Sequence, residues 1–314
     1  MQSTTPISQS SSTVYMIRPV RFCYNPQTAV DNVFQVTPKQ KDEEVQAQAV
    51  QEFDNYVATL RGKGVEVIVF EDTVEPHTPD SIFPNDWVSY HEDGTYAIYP
   101  MAAENRRQER REDIMKELQE KHGYKITRKL DYTQLENEGK FCEGAGVLIF
   151  DYPNKVVYCS ISNRAHKEVI EKAAADLGYK AVTWKCLDHK GGIIYHTTVV
   201  MALGEKYALI CEDSVVDPAE KEVLWRTLEE TGHEIIPITF DQMYSYAGNA
   251  LEVVNAKGEK FLAMSRRANE SLTAEQKARI GKYAEVLSVP LEVIEDNGGG
   301  SARCMLGDLR LPKN

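Results

Sequence analysis

No stretch of the 314-residue sequence approaches the roughly 20 consecutive apolar residues that span a bilayer, and the amino terminus lacks the basic and apolar regions of a secretory signal. A cytoplasmic protein with no membrane partner is expected. A concentrated basic face is missing too. The formal charge is −12 and the pI about 5.2, which argues against nucleic acid as a partner. The densest basic stretch, Arg106 to Arg111, is interleaved with Glu104, Glu109 and Glu112, as on the solvated side of a helix. The six cysteines (Cys23, Cys142, Cys159, Cys186, Cys211, Cys304) form no CxxC pair, so neither a zinc site nor a disulfide framework is suggested. Residues 1–13 have hardly any apolar side chain and read as a disordered tail, leaving 14–314 as one domain.

What is present is a repeat. Five times the chain shows an apolar hairpin or strand, a charged amphipathic helix, then a short apolar strand. A helix over about Lys39–Arg61 closes at Gly62 before a strand Val65–Phe70. The hairpin Trp87–Tyr99 turns at Asp93-Gly94 and leads to a helix Glu104–His122 and a strand Tyr124–Leu130. The hairpin Gly146–Ser160 precedes a helix Arg164–Leu177, the stop Gly178 and a strand through Trp184. The hairpin Ile193–Cys211 precedes a helix opening at Asp217-Pro218. The hairpin Leu251–Met264 precedes a helix from Thr273, whose capping box is completed by Gln276, and a strand Leu291–Glu295. Val14–Ile17 lacks a partner upstream and Cys304–Leu311 lacks one downstream, so pairing the two closes a ring and removes its open edges. The expectation is a five-bladed pseudosymmetric α/β propeller, against the alternative of an ordinary open α/β sheet.

In such a ring equivalent positions converge near the axis. The polar residues that open each hairpin are Asp86 in FPNDW, Glu143 in CEGAG, His196 in YHTTVVM, Asn249 in AGNALE and Cys304 in GGGSARCM. A thiol, an imidazole and two carboxylates are the parts of a nucleophilic site: attacking atom, proton handler and anchors for a polar or cationic group. Cys304 follows Gly298, Gly299, Gly300 and Arg303, a flexible run and a cation that favours thiolate. Cys159 and Cys211 sit in apolar strands and read as core. Asn249 either contacts substrate or holds a turn.

The motifs FPNDW, PMAAENRRQE, CEGAG, SNRA, YHTTVVM and GSARCM, in this order, resemble those of the guanidino-modifying pentein enzymes, among them arginine deiminases, dimethylargininases and amidinotransferases. YMIRP and NGGGSARCM look most like the citrulline-utilisation hydrolase branch, also labelled amidinotransferase-like. The resemblance implies a five-bladed fold, with Cys304 as nucleophile, His196 as general acid and base, and Asp86 and Glu143 holding the reacting group. It implies a pocket wall at Phe83 and substrate-carboxylate contacts at Arg106 and Arg164; Arg303 and Asn249 are further candidates for contact from their own places beside Cys304 and in the repeat. Neither metal nor cofactor is called for. Where arginine deiminases carry two further acids this chain has Gly146 and Thr198, which tilts the expectation from arginine toward citrulline, cleaved to ornithine, ammonia and carbon dioxide. Arginine or dimethylarginine hydrolysis, amidino transfer and a non-catalytic binding ring are the alternatives, and the sequence permits a homo-oligomer.

Overall fold

The computed structural model describes residues 7–313, and its strands fall into five three-stranded sheets. In chain order the strands are β1 (Thr13–Arg18), β2 (Glu66–Glu71), β3 (Val88–Tyr90), β4 (Thr95–Ile98), β5 (Arg128–Asp131), β6 (Ile149–Asp151), β7 (Val156–Ile161), β8 (Lys180–Lys185), β9 (Met201–Leu203), β10 (Tyr207–Cys211), β11 (Glu234–Ile238), β12 (Leu251–Val254), β13 (Lys260–Ser265), β14 (Glu285–Val289) and β15 (Gly307–Asp308). Each sheet combines an antiparallel pair with a parallel strand reached through a helical crossover: β3-β4-β5, β6-β7-β8, β9-β10-β11 and β12-β13-β14. The fifth is β15-β1-β2, in which Val14 pairs Asp308 and Tyr15 pairs Gly307. The ends of the chain thus supply the two strands of one hairpin, as the unpaired apolar segments predict.

Burial follows from place in the sheet. The middle strands, such as VYMI in β1 and YALIC in β10, are covered on both faces and read as continuous apolar runs. The outer parallel strands alternate: EVIVFE and KAVTWK expose their charged ends, and β11 tolerates Pro237 because it lies at an edge. Helix Asp42–Gly62 buries Val45, Ala49, Phe53, Tyr56, Val57 and Leu60, residues spaced three and four apart on one face.

Four readings of the sequence change. Leu291–Glu295 is not a strand; the strand is β14, and Pro290 separates it from a helix Glu292–Gly298. Leu291, Ile294 and Glu295 are all fully buried, which is the i, i+3, i+4 spacing of a helix. The helix expected over Glu104–His122 is two pieces, a 3-10 turn Asn105–Glu109 and an α-helix Glu112–Glu120, because Arg106 and Glu109 turn inward while Arg110 bonds Tyr99 O and Glu136. Two hairpins begin later than expected, since a helical turn (Gly144–Val147, Thr197–Val200) precedes β6 and β9. Finally, of the segment expected to be disordered, residues 1–6 lie outside the described residues, and Gln9, Ser10 and Ser11 are buried. The Gln9 amide bridges Phe150 O and Tyr152 N, and the Ser10 hydroxyl donates to Glu252. Polar side chains that bond to backbone groups hold this strap, with Ile7 packed against the core.

Helix Glu292–Gly298 delivers the chain to Cys304, and Glu295 braces it. Its carboxylate accepts the Ser301 hydroxyl at 2.6 Å, lies 3.3 Å from Arg267 Nε, and is pushed up to about 7 by burial. The folded state therefore binds a proton more tightly than the unfolded chain, and stability falls as pH rises from the ordinary carboxylate range through about 7. Glu295→Gln is expected to melt higher relative to wild type at pH 8 than at pH 5. Equal differences at both pH values, read by thermal denaturation, would contradict this.

Candidate active site

Each of the five polar residues stands just before the first strand of its hairpin, so five-fold repetition carries all of them to the axis. Asp86 closes the turn before β3, Glu143 and His196 stand at the N-caps of the helical turns before β6 and β9, Asn249 precedes β12 and Cys304 precedes β15. All five are buried. A cavity with about 280 Å³ of empty space lies at this point, lined by Phe83, Asp86, Arg106, Arg164, His196 and Cys304, with Thr28, Asn32, Asp80, Tyr195 and Gly298 to Gly300. Glu143 and Asn249 stand behind this lining, and Arg303 lines a separate cavity.

Asn249 brackets Cys304. Its Nδ2 donates to the sulfur at 3.1 Å, while its Oδ1 accepts from the backbone N–H of Arg303 (3.0 Å) and Cys304 (3.3 Å). Burial pushes the Cys304 thiol up, and the Asp86 charge adds to this; the Asn249 and Ser301 hydrogen bonds and the Arg303 charge act in the opposite direction. Arg303 donates to Leu306 O and Ala145 O, so it acts on the sulfur as a nearby charge rather than by contact. Asn249→Ala is expected to raise the thiol pKa further and slow alkylation of Cys304 by iodoacetamide at pH 7 roughly tenfold, the loss of one donor to a charged atom. An unchanged alkylation pH profile would contradict that role.

Glu143 organises the imidazole. His196 Nε2–H donates to Glu143 Oε2 at 2.7 Å, and Ala102 N–H donates to Oε1 at 3.0 Å. Burial alone would raise this carboxyl, but the Arg164 charge and the His196 hydrogen bond outweigh it and hold Glu143 well below the usual carboxylate range. Glu143 is therefore a carboxylate that fixes the Nε2–H tautomer. His196 Nδ1 makes no hydrogen bond among the described residues and is left to exchange protons.

Asp86 is set by Arg106, 2.5 Å from Asp86 Oδ2 through Nη1. The same guanidinium forks onto Glu109 (2.8 and 2.9 Å) and donates to Phe83 O, leaving one N–H free. The arginine that the resemblance assigns to a substrate carboxylate thus spends its donors on the protein's own acids. Arg164 is committed to a similar extent. It stacks on Tyr195 (4.6 Å), donates to Thr28 O, approaches Glu143 at 3.5 Å and pairs with Asp31. The two positions lacking deiminase acids are sterically closed or diverted. A Cβ on Gly146 would sit 2.1 Å from Asp86 Oδ1, and the Thr198 hydroxyl donates to Gly146 O. Phe83 packs against Gly298 and Gly300, where a Cβ would come within 2.9 Å of its ring.

Sequence reasoning missed Asp31, Asp80, Glu109 and Tyr195. Asp80 is buried and accepts from Asn25 and Thr28 through Oδ2, and its Oδ1 has no hydrogen-bond partner among the described residues. Glu109 was assigned to a solvated face because its neighbours are charged, although one acid three residues after an inward arginine is a local signal for a buried pair. Asp31 lies in a segment, residues 19–40, with no periodicity to read. Asp86, Glu143 and His196 present ligand atoms within 4.8 Å of one another, a spacing that suits a cation, but both carboxylates are already paired with arginines.

Comparison with known proteins follows from this geometry. The full cyanobacterial arginine dihydrolase ArgZ superposes with a TM-score of 0.71 at 18% identity, covering 96% of this chain and 41% of ArgZ, so the chain spans about two fifths of that enzyme. The isolated N-terminal domain of ArgZ, covalently bound to a reaction intermediate, gives 0.71 at 18% identity with 96% and 99% coverage. A dimethylarginine dimethylaminohydrolase variant carrying an S-methyl-L-thiocitrulline adduct gives 0.61 at 18%, with 95% and 99% coverage. These likenesses establish a shared pentein fold. Among curated proteins nothing matches. No helix of the described residues is long and apolar enough to cross a membrane. The family model for N,N dimethylarginine dimethylhydrolase, eukaryotic, matches residues 18–311, and the chain belongs to that family within the guanidino-modifying penteins.

Proposed function

We propose that this chain is a cysteine hydrolase that cleaves a C–N bond at the ureido or guanidino end of a free amino acid, with citrulline as its preferred substrate. The observation that carries the reading is the convergence of the buried side chains Cys304, His196 and Asp86 on one small cavity, with Glu143 fixing the imidazole. Asp86 orients the substrate nitrogens and Glu143 supports them through its contact with His196. Sγ of Cys304 attacks the central carbon. As the S–C bond forms, the C–N bond to the departing amine breaks, and His196 supplies that amine's proton. A water deprotonated by His196 then attacks the same carbon and the S–C bond breaks, returning the thiolate. With citrulline, the carbamic acid so formed decomposes to carbon dioxide and the second amine.

The amino acid end has its own partners. Asp80 Oδ1, buried and unpartnered, suits an ammonium, and Arg164 suits a carboxylate. The preference for citrulline is supported by charge. Neither Gly146 nor Thr198 adds an acid to Asp86 and Glu143 at the reacting end, and each of those two also contacts an arginine, which weakens discrimination in favour of a guanidinium over a neutral ureido group. One observation favours the second reading, arginine or a methylated arginine: the Cys304 thiol is pushed up, and a cationic substrate would itself stabilise the thiolate. Product analysis of the purified protein with citrulline, arginine and dimethylarginine decides between them. Ornithine from citrulline supports the preferred reading, and citrulline formed from either guanidine replaces it with the second.

A further inference from the structure

We propose that Asp31 is an internal competitor that tunes substrate affinity, its carboxylate standing on Arg164 where a substrate's α-carboxylate goes, so that binding exchanges one carboxylate for another. The proposal rests on the reading of the substrate as a free amino acid. Both Asp31 oxygens lie 3.1 Å from Arg164 Nε, and Asp31 Oδ1 also takes an N–H from Nη2. This is the forked geometry in which a guanidinium holds any carboxylate. The two partners differ in freedom: the Arg164 side chain is 4% exposed and that of Asp31 is 25%.

Arg164 stays in place without Asp31, because Tyr195 stacks on it and Thr28 O and Glu143 accept from it. The segment that carries Asp31 is likewise tied down on both sides by other residues. Asn25 and Thr28 bond Asp80, while Asn32 donates to Gly298 O and Gln35 to Asn297 O. Val30 and Val33, close to Asp31 in the chain, are 85% and 63% exposed, so this stretch of the segment borders solvent. Asp31 can therefore leave its partner by local rotation while the cavity wall persists.

The exchange lowers affinity for a substrate that carries the carboxylate and leaves one without it unchanged. Displacing Asp31 costs an ion pair, and only an anion at the same guanidinium restores it. A compound with the same reacting end but no carboxylate leaves Asp31 where it is and gains nothing from its removal. Apparent affinity for the amino acid is lowered by the fraction of molecules in which Arg164 is occupied.

The test compares citrulline with its decarboxylated counterpart, 4-aminobutylurea, by calorimetry on Cys304→Ala protein with and without Asp31→Asn. The dissociation constant of citrulline is expected to fall roughly five- to tenfold with Asp31→Asn, that of the amine to stay within about twofold. Asn163 also donates to Asp31, so Asn163→Ala, which loosens the aspartate but keeps its charge, is expected to shift citrulline in the same direction by less. Weaker citrulline binding in Asp31→Asn, or equal shifts for both compounds, overturns the exchange while leaving the substrate reading intact. Binding of neither compound to either protein overturns both.

Discussion

Replacing Arg106 with methionine is expected to lower folding stability by about 3–5 kcal/mol, the cost of removing one partner from a buried ion cluster. Arg106 is 2% exposed and sits among Asp80, Asp86 and Glu109, all buried. Methionine fills similar volume, so cavity formation adds little and the loss reports on charge. Part of it is relieved by protonation: burial already pushes Glu109 up to about 8 even beside the guanidinium, so this carboxyl neutralises first when Arg106 goes. The destabilisation should therefore be smaller at pH 6 than at pH 9. Activity should fall by at least about a hundredfold as well, because Asp86 loses the contact that aims it. Arg106→Lys, which keeps the charge but not the fork onto Glu109, is expected to fall between the two. Urea denaturation is the measurement, and a methionine variant as stable as wild type would show that the cluster does not hold this part of the ring.

The second large effect is on turnover alone. Cys304→Ala removes the atom to which the substrate carbon bonds, and turnover should fall by at least about 10⁴-fold, as when a covalent nucleophile is deleted. The backbone N–H groups of Arg303 and Cys304 still reach Asn249 Oδ1 in the variant, so the loop keeps its shape and substrate binding survives. Activity retained in this variant under steady-state assay would remove Cys304 from the chemistry. None of the other buried cysteines is positioned to replace it: Cys142, Cys159, Cys186 and Cys211 pack in apolar clusters and do not line the cavity.

The ring was legible because its signals are local and repeated. Gly178, the Asp217-Pro218 helix start and the Thr273–Gln276 capping box each end or begin an element where the residue type requires it. The unpaired VYMI segment and the apolar carboxyl-terminal stretch, which meet at Tyr15 and Gly307, are a long-range contact that only the count of hairpins could reveal. The repeat also placed Asp86, Glu143, His196, Asn249 and Cys304 together, since each holds the same position in its unit. What was not legible lies outside the repeat. Segment 19–40 folds over the cavity through side-chain hydrogen bonds of Asn25, Thr28, Asn32 and Gln35, contacts with no periodicity. Asp31 and Asp80 gain their meaning only there. The helix Glu292–Gly298 was misread because LEVIE is as apolar as a buried strand, and five residues carry too little period to separate the two.

The central claim, a covalent intermediate on Cys304, is tested most directly by acid-quenching the protein during turnover of citrulline and measuring the mass of the peptide that contains residue 304. The account predicts a carbamoyl or N-substituted carbamoyl group on Cys304 sulfur that disappears as substrate is exhausted. Turnover with no adduct on that peptide, or with the adduct on another residue, would contradict it.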